Sequence, residues 1–204
     1  MSSSFEADKI ALIVGNGTSR KGFDLETLRG AGTIIGCNAL YREFMPDYIV
    51  SIDAGIINEI RGSDFPKDKF IVPPLEEHWE PEECNPNRPR SNAGMNAMAE
   101  AIKMGHNILV CLGFDFLIKD AKQSVSNLFH DSKNYGLDTR ANAMDNPGRI
   151  RYLRWFANRH KGCEFHFVFP ATIGYPKKIR LTSMSDCGNI SFEYYDDVFS
   201  GEGE

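Results

Sequence analysis

Two stretches of this sequence hold residue types that could do chemistry. The first, Gly15-Asn16-Gly17-Thr18-Ser19-Arg20, closes the apolar run Ile10–Val14. A glycine loop at the end of a strand makes a tight turn, since glycine tolerates dihedrals that other residues avoid. It also suits a phosphate, because such a loop opening a helix aims free N–H groups at an anion. On the phosphate reading, a branched side chain at Gly17 would block the ligand and leave folding largely intact. The second stretch, Asn127-Leu128-Phe129-His130-Asp131-Ser132-Lys133-Asn134-Tyr135, gathers an imidazole, a carboxylate, an amine and a phenol in a polar segment. Histidine is the natural general base near neutral pH. A single loop histidine is also often just solvated, so both readings of His130 stand. His78, beside Trp79 in an acidic loop, is the rival; His106, His160 and His166 lie at or inside regular elements.

Several chemistries are excluded by what the sequence lacks. A dinucleotide site wants a third glycine at fixed spacing and an acid closing the second strand. Here the second strand ends Gly36-Cys37-Asn38, which argues against NAD. There is no Gly-Lys-Ser/Thr, no Gly-x-Ser-x-Gly and no His-Glu-x-x-His, so P-loop, esterase and zinc-peptidase readings fall. An Asp-x-Asp, the usual holder of a divalent cation in metal-dependent sugar transferases, is also absent. What survives is a nucleotide site built from backbone amides, hydroxyls and asparagine.

The elements that must position these groups are legible in the apolar pattern. Ile10–Val14, Thr33–Ile35, Tyr48–Ile52, Phe70–Val72, Ile108–Leu112 and Phe165–Phe169 are unbroken apolar runs, the mark of strands buried on both faces of a parallel sheet. Helical patterns lie between them. One spans Asn92–Met104, with Ser91 placed to cap it and Gly105 to stop it; another spans Pro147–His160, with Asn146 before it. Open α/β sheets bind ligands beyond the carboxyl ends of their strands. Those ends carry Gly15 to Ser19, Cys37-Asn38, Asp53, and Gly113-Phe114-Asp115. Asn38, Asp53 and Asp115 each fit a capping role as well as a ligand role. Pro73–Arg90 and Ile118–Asp145 follow neither period, and loops this long are often lids or binding loops.

Composition narrows the partners. The chain has 204 residues and a net charge of −5, which suits one domain and argues against nucleic acid. No apolar run reaches the roughly 20 residues of a membrane helix, and the first residues do not read as a signal peptide. Cysteines 37, 84, 111, 163 and 187 are odd in number and scattered, which fits a reducing, cytoplasmic compartment.

Taken together these motifs resemble the bacterial lipooligosaccharide sialyltransferases. The likeness rests on Gly15-Asn16-Gly17-Thr18-Ser19, on Gly36-Cys37-Asn38-Ala39-Leu40-Tyr41, on Ser91 through Gly105 leading into Gly113-Phe114-Asp115-Phe116, and on His130-Asp131-Ser132-Lys133-Asn134, in that order. It covers residues 8–170, with Thr18 standing where the family has proline and with a shortened acceptor loop. The resemblance implies a CMP-sugar donor, a saccharide acceptor, no metal, and His130 as the base on the acceptor hydroxyl. Tyr135 is the nearest tyrosine to assist the departing phosphate. Together with the strand-end residues, the implied donor site comprises Gly15, Asn16, Gly17, Thr18, Ser19, Asn38, Ser91, Gly113 and Asp115, with Arg20, Lys21 and Arg42 as candidate phosphate partners.

Met45-Pro46-Asp47-Tyr48 through Asp53 is also similar to the 6-hydroxymethylpterin diphosphokinase-like proteins, which move a diphosphate from ATP with Mg²⁺. Asp53 and Asp115 would then be metal ligands. A third expectation is a non-catalytic nucleotide-binding protein, as among small phage-like members of this superfamily. The expected architecture is a single Rossmann-like α/β domain over residues 1–182. It has a mostly parallel sheet, helices on both faces, a lid at about 116–145 and a C-terminal tail at 183–204 forming an edge strand and then disorder. A homo-oligomer is compatible with the sequence, which names no oligomeric state.

Overall fold

The computed structural model describes residues 9–74, 92–118, 127–136, 146–174, 184 and 186–199. Seven strands form one sheet: β1 (Ile10–Val14), β2 (Thr33–Cys37), β3 (Tyr48–Val50), β4 (Phe70–Ile71), β5 (Ile108–Leu112), β6 (Glu164–Phe169) and β7 (Ile190–Tyr194). Their order is β4-β3-β2-β1-β5-β6-β7, and every neighbouring pair is parallel. The fold is therefore α/β and Rossmann-like. β1 lies centrally, with Val14 in register with Gly36 on one side and Leu112 on the other.

Apolar side chains cover both faces, which is why the strands read as unbroken runs. One face presents Ala11, Ile13, Ile35, Leu109, Cys111 and Phe165 to helices α2 (Ala93–Lys103) and α3 (Asn146–Arg159). The other presents Leu12, Val14, Ile34, Ile49, Leu112 and Val168 to α1 (Ala54–Arg61) and to short 3-10 turns at Leu25–Leu28 and Asn38–Arg42. The four described cysteines are free and buried.

Local chemistry explains the helix ends. Asn92 caps α2, its side chain accepting from the Met95 N–H at 2.9 Å. At the other end Gly105 takes φ +98°, and the Gly105 and His106 amides donate back to the Ile102 and Ala101 carbonyls at 3.0 and 3.1 Å. This is a Schellman stop, and only glycine adopts that φ cheaply.

Two departures from the sequence pattern are informative. Phe116, Leu117 and Ile118 are buried, so the chain after β5 turns into the core before any lid begins. The stretch at 183–204 supplies β7, an edge strand as expected, and then a helix, α4 (Tyr195–Phe199). β7 is tied in by Asn189, whose side-chain amide donates to the carbonyls of Ala157, His160 and Cys163 where α3 ends. The Ala157 and His160 carbonyls also accept from the His160 and Cys163 amides, so Asn189 adds a second bond to each where the helix ends. Across the β6–β7 pair His166 sits beside Glu193, Ser191 and Glu164, and Tyr195 of α4 is buried against Phe23.

Candidate functional site

The glycine loop after β1 packs against the loop after β5. Gly15 N–H donates to Leu112 O at 2.8 Å and Gly17 N–H to Gly113 O at 3.1 Å. Asp115 then accepts from Thr18 Oγ1 at 3.1 Å, Ser19 N–H at 3.1 Å and Ser19 Oγ at 2.5 Å. The anion facing this loop is the chain's own carboxylate. The glycines are needed for that approach: an added Cβ at Gly17 would lie 2.2 Å from Asp115 Oδ1, and one at Gly15 2.8 Å from Gly113 O. Gly113 itself has φ +73°. The crevice between β1 and β5, where the strand order reverses and Rossmann-like folds take ligands, is occupied by protein groups.

Arg20 is equally committed. It is buried, its Nε donates to Gly15 O at 2.6 Å, and its guanidinium meets Glu43 at 2.6 Å. Lys21 lies on the outer side of this loop, where it joins Phe23, Glu43, Phe44 and Leu128 around a shallow depression of about 310 Å³.

Burial pushes the Asp115 carboxyl above its ordinary value, against the hydrogen bonds from Ser19 and Thr18 that favour the carboxylate. The folded chain then holds that proton more tightly than the unfolded chain. The resulting stability is complete below the unfolded value, near 3.8, and is lost as pH rises through the raised folded one. Wild-type stability minus that of Asp115→Asn, from urea melts between about pH 4 and pH 7, is expected to shrink as pH rises. A difference that widens with pH would mean that hydrogen bonding outweighs burial.

A second group forms at the carboxyl ends of β1, β2 and β3. Asn16 Nδ2 donates to Cys37 O at 3.0 Å. Asn38, at φ +51°, donates through Nδ2 to Asp53 Oδ2 at 2.8 Å and accepts from Ser51 Oγ at 2.8 Å. Neither Asn38 nor Asp53 caps a helix with its side chain: Cys37 precedes the 3-10 turn, and the Asp53 carboxylate makes no cap bond to α1.

The segment 127–136 is seated on these strand ends. Leu128 N–H donates to Asn16 O at 2.8 Å, and Phe129 and Tyr135 pack against the core. Its other side is clamped by Arg42, which bonds Ser132 Oγ at 2.8 Å, Lys133 O at 2.7 Å and both oxygens of Glu59 at 2.7 Å. Glu59 also accepts from Tyr41 and, at 2.6 Å, from Asn134. Burial alone would raise the Glu59 carboxyl, but bonds from Tyr41, Arg42 and Asn134 and the Arg42 charge hold it below its ordinary range. Gly55 leaves room for the clamp, since a Cβ there would lie 2.6 Å from Asn134 Oδ1. Arg42 is therefore a tether for the segment, a role its sequence context did not signal because Glu59 and Asn134 lie far along the chain.

Within the segment, the two residues read as catalytic hold polar atoms in waiting. His130 Nδ1 lies 2.9 Å from Asp131 Oδ2, while its Nε2 is buried with no hydrogen-bond partner among the described residues. The Tyr135 hydroxyl is likewise buried, and among the described residues it completes no hydrogen bond of good geometry. Burial pushes its pKa well up and the nearby Asp53 charge adds to this, opposed by Asn16, the Ala39 amide and Asn38. The structure thus brings Asn16, Asn38, Asp53 and Tyr135 together at one end of the sheet, with His130 in the overlying segment. Gly15, Gly17, Thr18, Ser19, Gly113 and Asp115 are spent on one another. Ser91, His78 and the expected lid residues 119–126 and 137–145 lie outside the described residues.

Comparison with protein-family models, curated proteins and solved structures finds no match for this chain. Among the described residues no three His, Cys, Asp or Glu side chains are grouped to hold a metal ion, and no helix is long and apolar enough to cross a membrane.

Proposed function

We propose that this chain is a metal-independent glycosyltransferase that takes a nucleotide-activated sugar of the CMP type at the carboxyl ends of β1, β2 and β3. The observation that carries this reading is the buried His130 Nε2, which has no hydrogen-bond partner among the described residues, in the segment seated on those strand ends beside the buried Tyr135 hydroxyl. A buried donor or acceptor left unpaired costs about 1–3 kcal/mol, and a ligand that pairs it recovers that cost.

In the proposed reaction, His130 Nε2 removes the proton from an acceptor hydroxyl as its oxygen attacks the anomeric carbon of the donor. The bond from that carbon to the phosphate oxygen breaks, and the nucleoside monophosphate leaves with the electron pair. Tyr135 donates a hydrogen bond to the departing phosphate, and the Asn16 and Asn38 side chains hold the nucleotide. The glycine loop contributes indirectly: locked to Asp115, it fixes the position of Asn16. The segment 127–136 covers the reacting centre and limits water, as lids do.

Calorimetry with CMP and with ATP, each with Mg²⁺ and with EDTA, tests the reading. CMP is expected to bind equally well in either condition, and Asn38→Ala to weaken it about tenfold, the worth of one good hydrogen bond. Binding of ATP alone, and only with Mg²⁺, would replace this reading by a diphosphate transfer. Binding of neither nucleotide would leave a scaffold.

A further inference from the structure

We propose that Asp131 is a positioning residue that selects the tautomer of His130 and so makes Nε2 the basic nitrogen, an inference that rests on the reading of His130 as the base. A neutral imidazole carries one N–H, and a carboxylate only accepts. Asp131 Oδ2 lies 2.9 Å from Nδ1, and a lone pair on that nitrogen would face the carboxylate's charge, so the hydrogen belongs on Nδ1 and the lone pair on Nε2. That second nitrogen is the one buried without a partner among the described residues, so the arrangement presents an acceptor to an incoming hydroxyl group. Once the proton has moved, the same carboxylate stabilises the imidazolium.

The backbone holds the carboxylate in place. Asp131 sits at φ +60°, in the left-handed region, and its N–H donates to Tyr135 O at 3.1 Å. The turn is closed further by Ser132 N–H to Phe129 O at 3.0 Å and Tyr135 N–H to Ser132 O at 2.9 Å, and Arg42 grips Ser132 and Lys133 beyond it. Aspartate tolerates this φ better than most residues, and glycine adopts it freely. Asp131→Gly therefore removes the carboxylate without straining the turn, and Asp131→Asn removes only the charge.

The test reads the imidazole directly. Long-range proton–nitrogen NMR of the ¹⁵N-labelled full chain, at a pH where the ring is neutral, is expected to show His130 protonated on Nδ1 in the wild type and a mixed population in Asp131→Gly. Turnover in Asp131→Gly is expected to fall about tenfold or more, less than removal of a general base costs, with CMP affinity unchanged. A wild-type ring protonated on Nε2, the same Nδ1 form in Asp131→Gly, or undiminished turnover in that variant would each overturn the proposal. The tautomer measurement needs no activity, so wild-type turnover in His130→Ala would count against His130 as base and leave the tautomer result standing.

Discussion

His130→Ala lowers turnover on the order of 10²–10⁴-fold on the proposed reaction and leaves CMP affinity near the wild-type value. General-base catalysis typically supplies that factor, and a group that acts on the acceptor hydroxyl rather than on the donor contributes to kcat more than to nucleotide binding. Its Nδ1 lies 2.9 Å from Asp131 Oδ2, and its Nε2 has no hydrogen-bond partner among the described residues. Steady-state kinetics and CMP titration check both. Wild-type turnover in the alanine variant would remove His130 from the chemistry and leave Tyr135 and the strand-end amides as a binding site only.

Gly17→Val is expected to destabilise the fold by about 3–5 kcal/mol, a large part of the roughly 5–15 kcal/mol that a domain possesses. The sequence pattern alone suggested that this change would block a ligand and spare the fold. The geometry reverses that expectation. A Cβ at position 17 lies 2.2 Å from Asp115 Oδ1 and 2.5 Å from Gly113 O, so one or both loops must move. Moving them breaks the Gly17–Gly113 hydrogen bond and strips the buried Asp115 carboxylate of its bonds from Thr18 and Ser19. Gly162, whose added Cβ would meet open space, is the control: Gly162→Ala should shift stability by less than about 0.5 kcal/mol. Urea midpoints measure the pair. A Gly17→Val midpoint equal to wild type would mean that the two loops separate freely.

The same two loops mark where sequence reasoning ran out. Apolar runs such as Ile10–Val14 and Ile108–Leu112 determine a parallel sheet covered on both sides, because burial on both faces demands unbroken apolarity over a strand's own length. Gly105 determines the end of α2 for a similarly local reason, its positive φ. The residue types at the strand ends and the imidazole beside a carboxylate at His130-Asp131 were also visible, since each is a matter of neighbours in the chain.

Which of those groups would meet was not visible. Asp115 fitted a helix cap, a metal ligand or a phosphate-site residue equally well in one dimension. Only the pairing of β1 with β5 brings it to Thr18 and Ser19, nearly a hundred positions away. Arg42 read as a candidate phosphate partner, and folding sets it against Glu59, Ser132 and Lys133. Secondary structure follows from interactions a few residues apart, which a sequence displays directly. The partner of a carboxylate, a guanidinium or an amide depends on strand order and on which loops share an end of the sheet, and those are properties of the packed chain alone.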